Sequence, residues 1–147
     1  MAFGPLQPLP ARAVSDQRRF SQALHTENPS AHARQLIREA CGSWPSHRAD
    51  DAELVVGELV ANAVQHGNGP VAIRIVVDVN VLRVEVTDAN PQHPRTFDPP
   101  PPPVEAERGR GLYIVSALAD TWGSIPTEAG SHPGKAVWFE LHRDTAP

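Results

Sequence analysis

The sequence predicts an α+β fold, a two-layer sandwich in which about three helices lie on one face of a mixed, mostly antiparallel sheet. Two observations predict it. Apolar residues recur with helical spacing in three segments, and they alternate with polar residues in a hairpin and again near the C-terminus. The element order is a weak strand, two helices, two strands, a long loop, a helix and a strand. A chain of 147 residues has the length of one domain.

The first half of the chain contains the two longer helical patterns. Residues 18–24 show a weak strand pattern, which we interpret as an edge strand. A helix is predicted from Pro29 until Gly42 stops it, because proline suits a first helical turn and glycine a helix end. A second helix is predicted from Ser46, expected to cap it, to Gly67, with two aspartates near its positive end.

The second half begins with a hairpin. Residues 71–77 and 82–87 alternate between apolar and polar positions on either side of a short turn. A third helix is predicted from Gly111 to about Thr121. A Gly/Pro-rich turn follows, and residues 135–142 then predict a terminal strand.

Two segments are predicted to be irregular. Residues 1–14, rich in proline and alanine, are expected to form a flexible arm, which leaves residues 15–147 as the domain. Residues 89–108 include the five consecutive prolines 99–103, which exclude a helix or a central strand. Such a segment within a compact domain is typical of a lid, a binding loop or disorder.

Composition and charge argue against several classes of protein. A formal net charge of -4 and a pI near 5.9 argue against direct binding to nucleic acid. No apolar run approaches the ~20 residues that span a bilayer, and the first residues lack a signal-peptide pattern, so a cytoplasmic location is expected. The one cysteine, Cys41, is interpreted as a small buried side chain in a reducing compartment. The histidines show no paired spacing for zinc.

Polar residues interrupt the apolar pattern of the second helix. Glu58, Asn62 and His66 are four residues apart and fall on the side that also carries Leu54 and Leu59. A carboxylate and an amide are therefore expected inside the stripe that faces the core, where an unpaired charge costs several kcal/mol. A metal ion bound with a ligand is one explanation, and a Glu–Asn pair that caps a neighbouring loop is the other.

Two further candidate positions lie at the ends of elements. Asp88 continues the inward face of the second hairpin strand, where it either forms a turn, which these residues alone favour, or accepts a hydrogen bond from a ligand. Gly109 and Gly111, flanked by arginines, precede an apolar helix, and backbone N–H groups at a helix N-terminus favour anions. The spacing matches neither a dinucleotide-binding fingerprint nor a P-loop.

Taken in order, four segments resemble the GHKL, or Bergerat-fold, ATPases. They are residues 58–67 (ELVANAVQHG), 86–88 (VTD), 109–115 (GRGLYIV) and 134–138 (GKAVW). The resemblance spans about residues 17–142 and points most closely to the small anti-sigma-factor serine/threonine kinases of the SpoIIAB and RsbW kind, with their actinobacterial relatives. It implies a histidine-kinase-like ATP-binding domain that uses ATP and Mg²⁺, with residues 89–108 as the ATP lid.

Residue roles follow from this resemblance. Glu58 corresponds to the glutamate that orients or deprotonates the attacking hydroxyl or water, and Asn62 to the asparagine that holds Mg²⁺. Asp88 corresponds to the acid that accepts a hydrogen bond from the adenine amino group. Gly109 and Gly111 correspond to the glycines at the phosphates, with Arg110 assisting at the γ-phosphate. The other residues assigned to the nucleotide site are His66, Asn90, Leu112 and Lys135.

The resemblance implies a kinase that phosphorylates an anti-sigma-factor antagonist, sequesters a sigma factor and forms a homodimer. A non-catalytic ATP-binding switch that controls a protein partner is the alternative. Two departures favour the switch: Ala136 stands where many kinase relatives have threonine, and the proline run makes the lid stiff. A third departure, Asn90 in place of a superfamily glycine, requires a different turn beside the adenine.

Overall fold

The computed structural model describes residues 17–67, 69–92, 110–129 and 132–144. Its elements are β1 (Arg18–Ala23), α1 (Pro29–Ala40), α2 (Ser46–His66), β2 (Ala72–Val77), β3 (Val81–Asp88), α3 (Arg110–Leu118), β4 (Thr121–Ala129) and β5 (His132–His142). The predicted arm, residues 1–14, lies outside the described residues. So do Gly109 and all of the predicted lid except residues 89–92.

The described strands form one sheet in the order β1-β2-β3-β5-β4, and every pairing is antiparallel. Alternate residues of the central strands face the three helices and form one continuous apolar core with them. The predicted α+β sandwich with three helices is therefore confirmed. The inner rows of β3 and β5 pair Leu82 with Leu141, Val84 with Phe139, and Val86 with Val137.

The predicted start of α1 is confirmed, but the predicted cap of α2 is not. The Asn28 side chain accepts a hydrogen bond from the Ala31 N–H at 3.1 Å, so α1 begins as predicted. The predicted cap at Ser46 is wrong. Ser46 is already the first helical residue of α2, and the extended Pro45 precedes it without a side-chain hydrogen bond. No helix among the described residues has the length and apolarity needed to cross a bilayer.

Strand β4 was not predicted. The sequence indicated a turn between α3 and the terminal strand, because Gly123 and Pro126 are poor strand residues. β4 lies at the edge of the sheet, where one side of the strand needs no partner and proline is tolerated. Gly123 also has a packing reason, since a Cβ there would lie 3.0 Å from the Trp138 indole.

Arg48 connects the start of α2 to two distant parts of the chain. Its side chain is only 5% exposed. The guanidinium donates to the His142 carbonyl at 3.0 Å and contacts the carboxylates of Asp51 at 3.0 Å and Asp120 at 2.9 Å. Asp120 follows α3, and His142 ends β5. One side chain therefore fixes α2 relative to α3 and to the sheet.

We expect Arg48→Lys to lower the free energy of unfolding by about 1–3 kcal/mol, because a single ammonium cannot reach all three acceptors. Denaturant unfolding measures the change. Arg38→Lys is the matched control, since the Arg38–Glu53 pair lies at the surface with Arg38 58% exposed. Equal losses in the two variants would contradict a structural role specific to Arg48.

Cys41 lies directly after α1 and is 2% exposed, as predicted for a small buried side chain. Burial raises the pKa of its thiol from 9.0 to about 11. The thiolate is the reactive form, so reactivity stays low at neutral pH and rises only as the pH approaches the raised pKa.

We expect Cys41 to react with a disulfide reagent at pH 8 at least about a hundredfold more slowly than an exposed thiol. The reference is a Cys41→Ala, Ser43→Cys variant, which moves the thiol two residues along the chain to an exposed position. Denaturant should abolish the difference. Similar rates in the native proteins would show that Cys41 is accessible.

Candidate functional site

A polar cluster forms around Asp88, where β3 ends. The Asp88 side chain lies on the helix-facing side of the sheet and is 1% exposed. Its Oδ1 accepts hydrogen bonds from the Asn90 N–H at 2.8 Å and from Lys135 Nζ at 3.0 Å. The turn predicted at this position is present, and so is the predicted inward orientation. Oδ2 lies 3.0 Å from Lys135 Nζ as an ion pair, but it accepts no hydrogen bond within the described part of the chain.

Two glycines allow the backbone to approach Asp88 closely. A Cβ at Gly67 would lie 2.8 Å from the Asp88 side chain and 2.4 Å from the Ala63 carbonyl oxygen. A Cβ at Gly134 would lie 2.1 Å from the Asp88 carbonyl oxygen. Gly67 has an extended backbone with φ of -87°, so clearance for the Ala63 carbonyl and the Asp88 side chain, rather than a left-handed helix end, explains the glycine. The sequence signalled Gly67 only as a helix terminator.

Asn90 ties the end of α2 to this cluster. Its side-chain amide donates to the His66 carbonyl at 2.6 Å, and its own carbonyl accepts from Lys135 Nζ at 3.3 Å. Four of the residues assigned from the sequence, His66, Asp88, Asn90 and Lys135, are thus brought together. His66 takes part through its backbone, while its imidazole is exposed.

Glu58 and Asn62 were predicted to lie inside the stripe of α2 that faces the core, but both side chains are only half-buried. The prediction placed Leu54 on the core side of α2, but Leu54 is 46% exposed and lies one helical turn before Glu58 on the same side. Gly57 instead faces Arg34 of α1, and the buried stripe is rotated accordingly. No hydrogen bond or ion pair holds either polar side chain within the residues described. Burial therefore does not require a metal ion here.

The N-terminus of α3 points towards this half of α2. Asp120, just beyond the end of α3, pairs with Arg48 near the start of α2, and the two helices pack together, so they run antiparallel. The nine residues of α3 extend about 13 Å away from the end that lies near Arg48. Arg110 and Gly111 begin this helix, and Leu112 anchors it in the core.

A depression of about 330 Å³ lies at the other end of the sheet. It is bordered by the end of α1 and by the β2–β3 turn, with Arg18, Glu39, Gly42, Ser43, Asp78 and Val79 around it. Its principal charged groups already serve the fold. Arg18 donates to the Ala40 carbonyl, and Asp78 Oδ1 accepts from the N–H groups of Asn80 and Val81. We therefore place the candidate site at the Asp88 end.

The Asp88 end combines a buried acceptor with a helix N-terminus, two features that suit a base amino group and an anion. Asp88 Oδ2 accepts no hydrogen bond from the described residues, and backbone N–H groups at a helix N-terminus favour anions in general. No group of three or more His, Cys, Asp or Glu in the described ranges is placed to hold a metal ion. Mg²⁺ would therefore be held by phosphate oxygens, water and Asn62. Mg²⁺ bound with nucleotides usually has few protein ligands and keeps several waters.

Comparison with known proteins bears on this arrangement. A family profile described as histidine kinase-like ATPase domain matches residues 24–140. The solved RsbU and RsbW domains of Rv1364c from Mycobacterium tuberculosis match with a TM-score of 0.56 and 17% identity, over 84% of this chain and 31% of that one. This chain thus spans under a third of that structure, and the likeness shows a shared fold. The comparison with curated proteins found no significant match. Because the family profile covers most of its length, the chain belongs to the family of histidine kinase-like ATPase domains.

Proposed function

We propose that this chain binds ATP with Mg²⁺ and transfers the γ-phosphoryl group to a serine or threonine of a protein partner. Asp88 carries the binding part of this proposal. Its carboxylate is buried, is oriented by the Asn90 N–H, and retains an oxygen that accepts no hydrogen bond from the described residues. Oδ2 contacts the Lys135 ammonium as an ion pair, and an amino group of a bound base would add the hydrogen bond that this oxygen lacks within the described residues.

The phosphates belong at the N-terminus of α3. The helix dipole and the free N–H groups of its first turn attract anions, and Gly111 in that turn allows close approach. By the resemblance of the 109–115 segment, Gly109 and Arg110 contact the phosphates as well. By the same resemblance, Asn62 on the neighbouring helix would hold Mg²⁺ through its side-chain oxygen, and residues 89–108 would cover the nucleotide.

Glu58 supplies the group that distinguishes transfer from binding. Its carboxylate is half-buried on α2, the helix against which α3 packs. In the proposed reaction the partner's hydroxyl oxygen bonds to the γ-phosphorus while the bond to the bridging oxygen of ADP breaks. Glu58 orients that hydroxyl and accepts its proton. Catalysis then depends on positioning and charge stabilisation, as is usual for phosphoryl transfer.

The proposed partner is an anti-sigma-factor antagonist, with a sigma factor as a second partner, a homodimer as the working form and a cytoplasmic location. The motif resemblance to the kinases of the RsbW kind supports this assignment. So does the fold shared with a structure that contains an RsbW domain. The net charge of -4 supports protein rather than nucleic-acid partners.

We expect Asp88→Asn to weaken ATP binding about tenfold to a hundredfold in calorimetric titrations with Mg²⁺. The amide keeps an acceptor for the Asn90 N–H but presents a donor in place of Oδ2, so two donors would face each other. Asp78→Asn is the matched control, because Asp78 is an equally buried aspartate that caps the turn at the other end of the hairpin. Unchanged affinity in Asp88→Asn, or no binding of ATP to the native chain, would contradict the assignment.

We expect Glu58→Gln to reduce phosphoryl transfer at least about a hundredfold while ATP affinity changes less than about twofold, because the amide cannot accept the proton. The measurement is transfer of labelled phosphate to candidate antagonist proteins. Glu39→Gln, an exposed glutamate of α1, should leave transfer unchanged. Binding of ATP by the native chain without any transfer would instead select the non-catalytic switch.

A further inference from the structure

Lys135 is a buried cation beside Asp88. The two residues are direct neighbours in the pairing of β3 with β5, and both side chains lie on the helix-facing side of the sheet. The Lys135 side chain is 3% exposed, and its Nζ lies 3.0 Å from Asp88 Oδ2 and 3.0 Å from Oδ1. The next inward pair along these strands, Val86 and Val137, is apolar. The ammonium therefore lies between the core and the candidate base site.

The hydrogen bonds of this pair are incomplete on adjacent atoms. Lys135 donates one N–H to Asp88 Oδ1 and one to the Asn90 carbonyl, and an ammonium carries three. Asp88 Oδ2 accepts no hydrogen bond from the described residues. Among the described residues, one N–H of Lys135 and Asp88 Oδ2 thus make no hydrogen bond, although Nζ and Oδ2 lie 3.0 Å apart as an ion pair.

Stability alone gives little reason for this pair. Removing two charges from water costs several kcal/mol per ion, and apolar replacements of buried ion pairs are often as stable or more stable. The carboxylate is also oriented independently of Lys135, because the Asn90 N–H holds Oδ1 at 2.8 Å. A ligand that needs both a donor and an acceptor accounts for retaining both charges.

We propose that Lys135 is a second base-reading residue, which donates to N1 of a 6-aminopurine while Asp88 accepts from the 6-amino group. This inference rests on the proposed ATP binding and adds the determinant of base choice. In adenine the two atoms are adjacent, one a donor and the other an acceptor, which matches the Asp88–Lys135 pair. Guanine and hypoxanthine present an acceptor at position 6 and a donor at N1. If either base bound in the same position, the contacts with Asp88 and with Lys135 would both be mismatched.

The test compares ATP with 1-deaza-ATP, in which C–H replaces N1, by calorimetric titration of the native chain with Mg²⁺. A lost hydrogen bond to a charged donor predicts that 1-deaza-ATP binds about tenfold to a hundredfold more weakly than ATP. Purine riboside triphosphate, which lacks the 6-amino group, should be weakened in the same range through Asp88. ITP should bind more weakly than either analogue.

A variant assigns the effect to Lys135. In Lys135→Met the ratio of the ATP and 1-deaza-ATP affinities should fall to within about twofold of one, while the preference for ATP over purine riboside triphosphate persists. Arg74→Met, which removes a cation from the opposite face of the sheet, should keep the native ratio. Thermal unfolding confirms that each variant is folded, and the native-chain comparison of analogues stands without any variant.

Each outcome of these titrations either supports or overturns the proposed role of Lys135. Equal affinities of the native chain for ATP and 1-deaza-ATP would overturn the role of Lys135 and leave the proposed ATP binding intact. A full N1 preference in folded Lys135→Met would overturn it as well, since another group would then read N1. Failure of ATP itself to bind would overturn both proposals together.

Discussion

The placement of α2 relative to α3 and to the end of β5 depends on the buried guanidinium of Arg48. Its partners are Asp120 and the His142 carbonyl, residues 72 and 94 positions away in the chain. Asp120 lies just beyond the end of α3, and His142 is the last residue of β5. The Arg48 side chain therefore fixes the distance of both elements from α2. The candidate site lies at the opposite end of α2. Its geometry therefore depends on Arg48, although Arg48 does not contact it.

At the site end, the order is maintained by contacts between the ends of elements. The Asn90 amide holds the last carbonyl of α2, and Lys135 holds the Asp88 carboxylate from the neighbouring strand. Gly67 and Gly134 provide the clearance that these contacts require. The cluster therefore combines closely packed backbone with a buried carboxylate oxygen, Asp88 Oδ2, that accepts no hydrogen bond from the described residues and could bind a ligand donor.

The strongly periodic elements could be predicted from sequence, and the context-dependent ones could not. α1, α2 and the β2–β3 hairpin appear within a few residues of the predicted ranges, because their apolar patterns are long. β4 was missed because Gly123 and Pro126 are poor strand residues, and Pro126 is tolerated only at a sheet edge, a position the sequence does not reveal. Glu58 and Asn62 were placed too deep because Leu54 counted as a core residue. The Asp88–Lys135 pair required the register of β3 with β5.

Lys135 is the only lysine in the chain, and its amine is almost completely buried. An acylating reagent can therefore reach a side-chain amine of the described fold only when the end of the sheet opens locally. The rate of acylation at this single position would report the free energy of that opening. Acylation of Lys135 would therefore distinguish a candidate base site that is preformed from one that opens before the nucleotide enters.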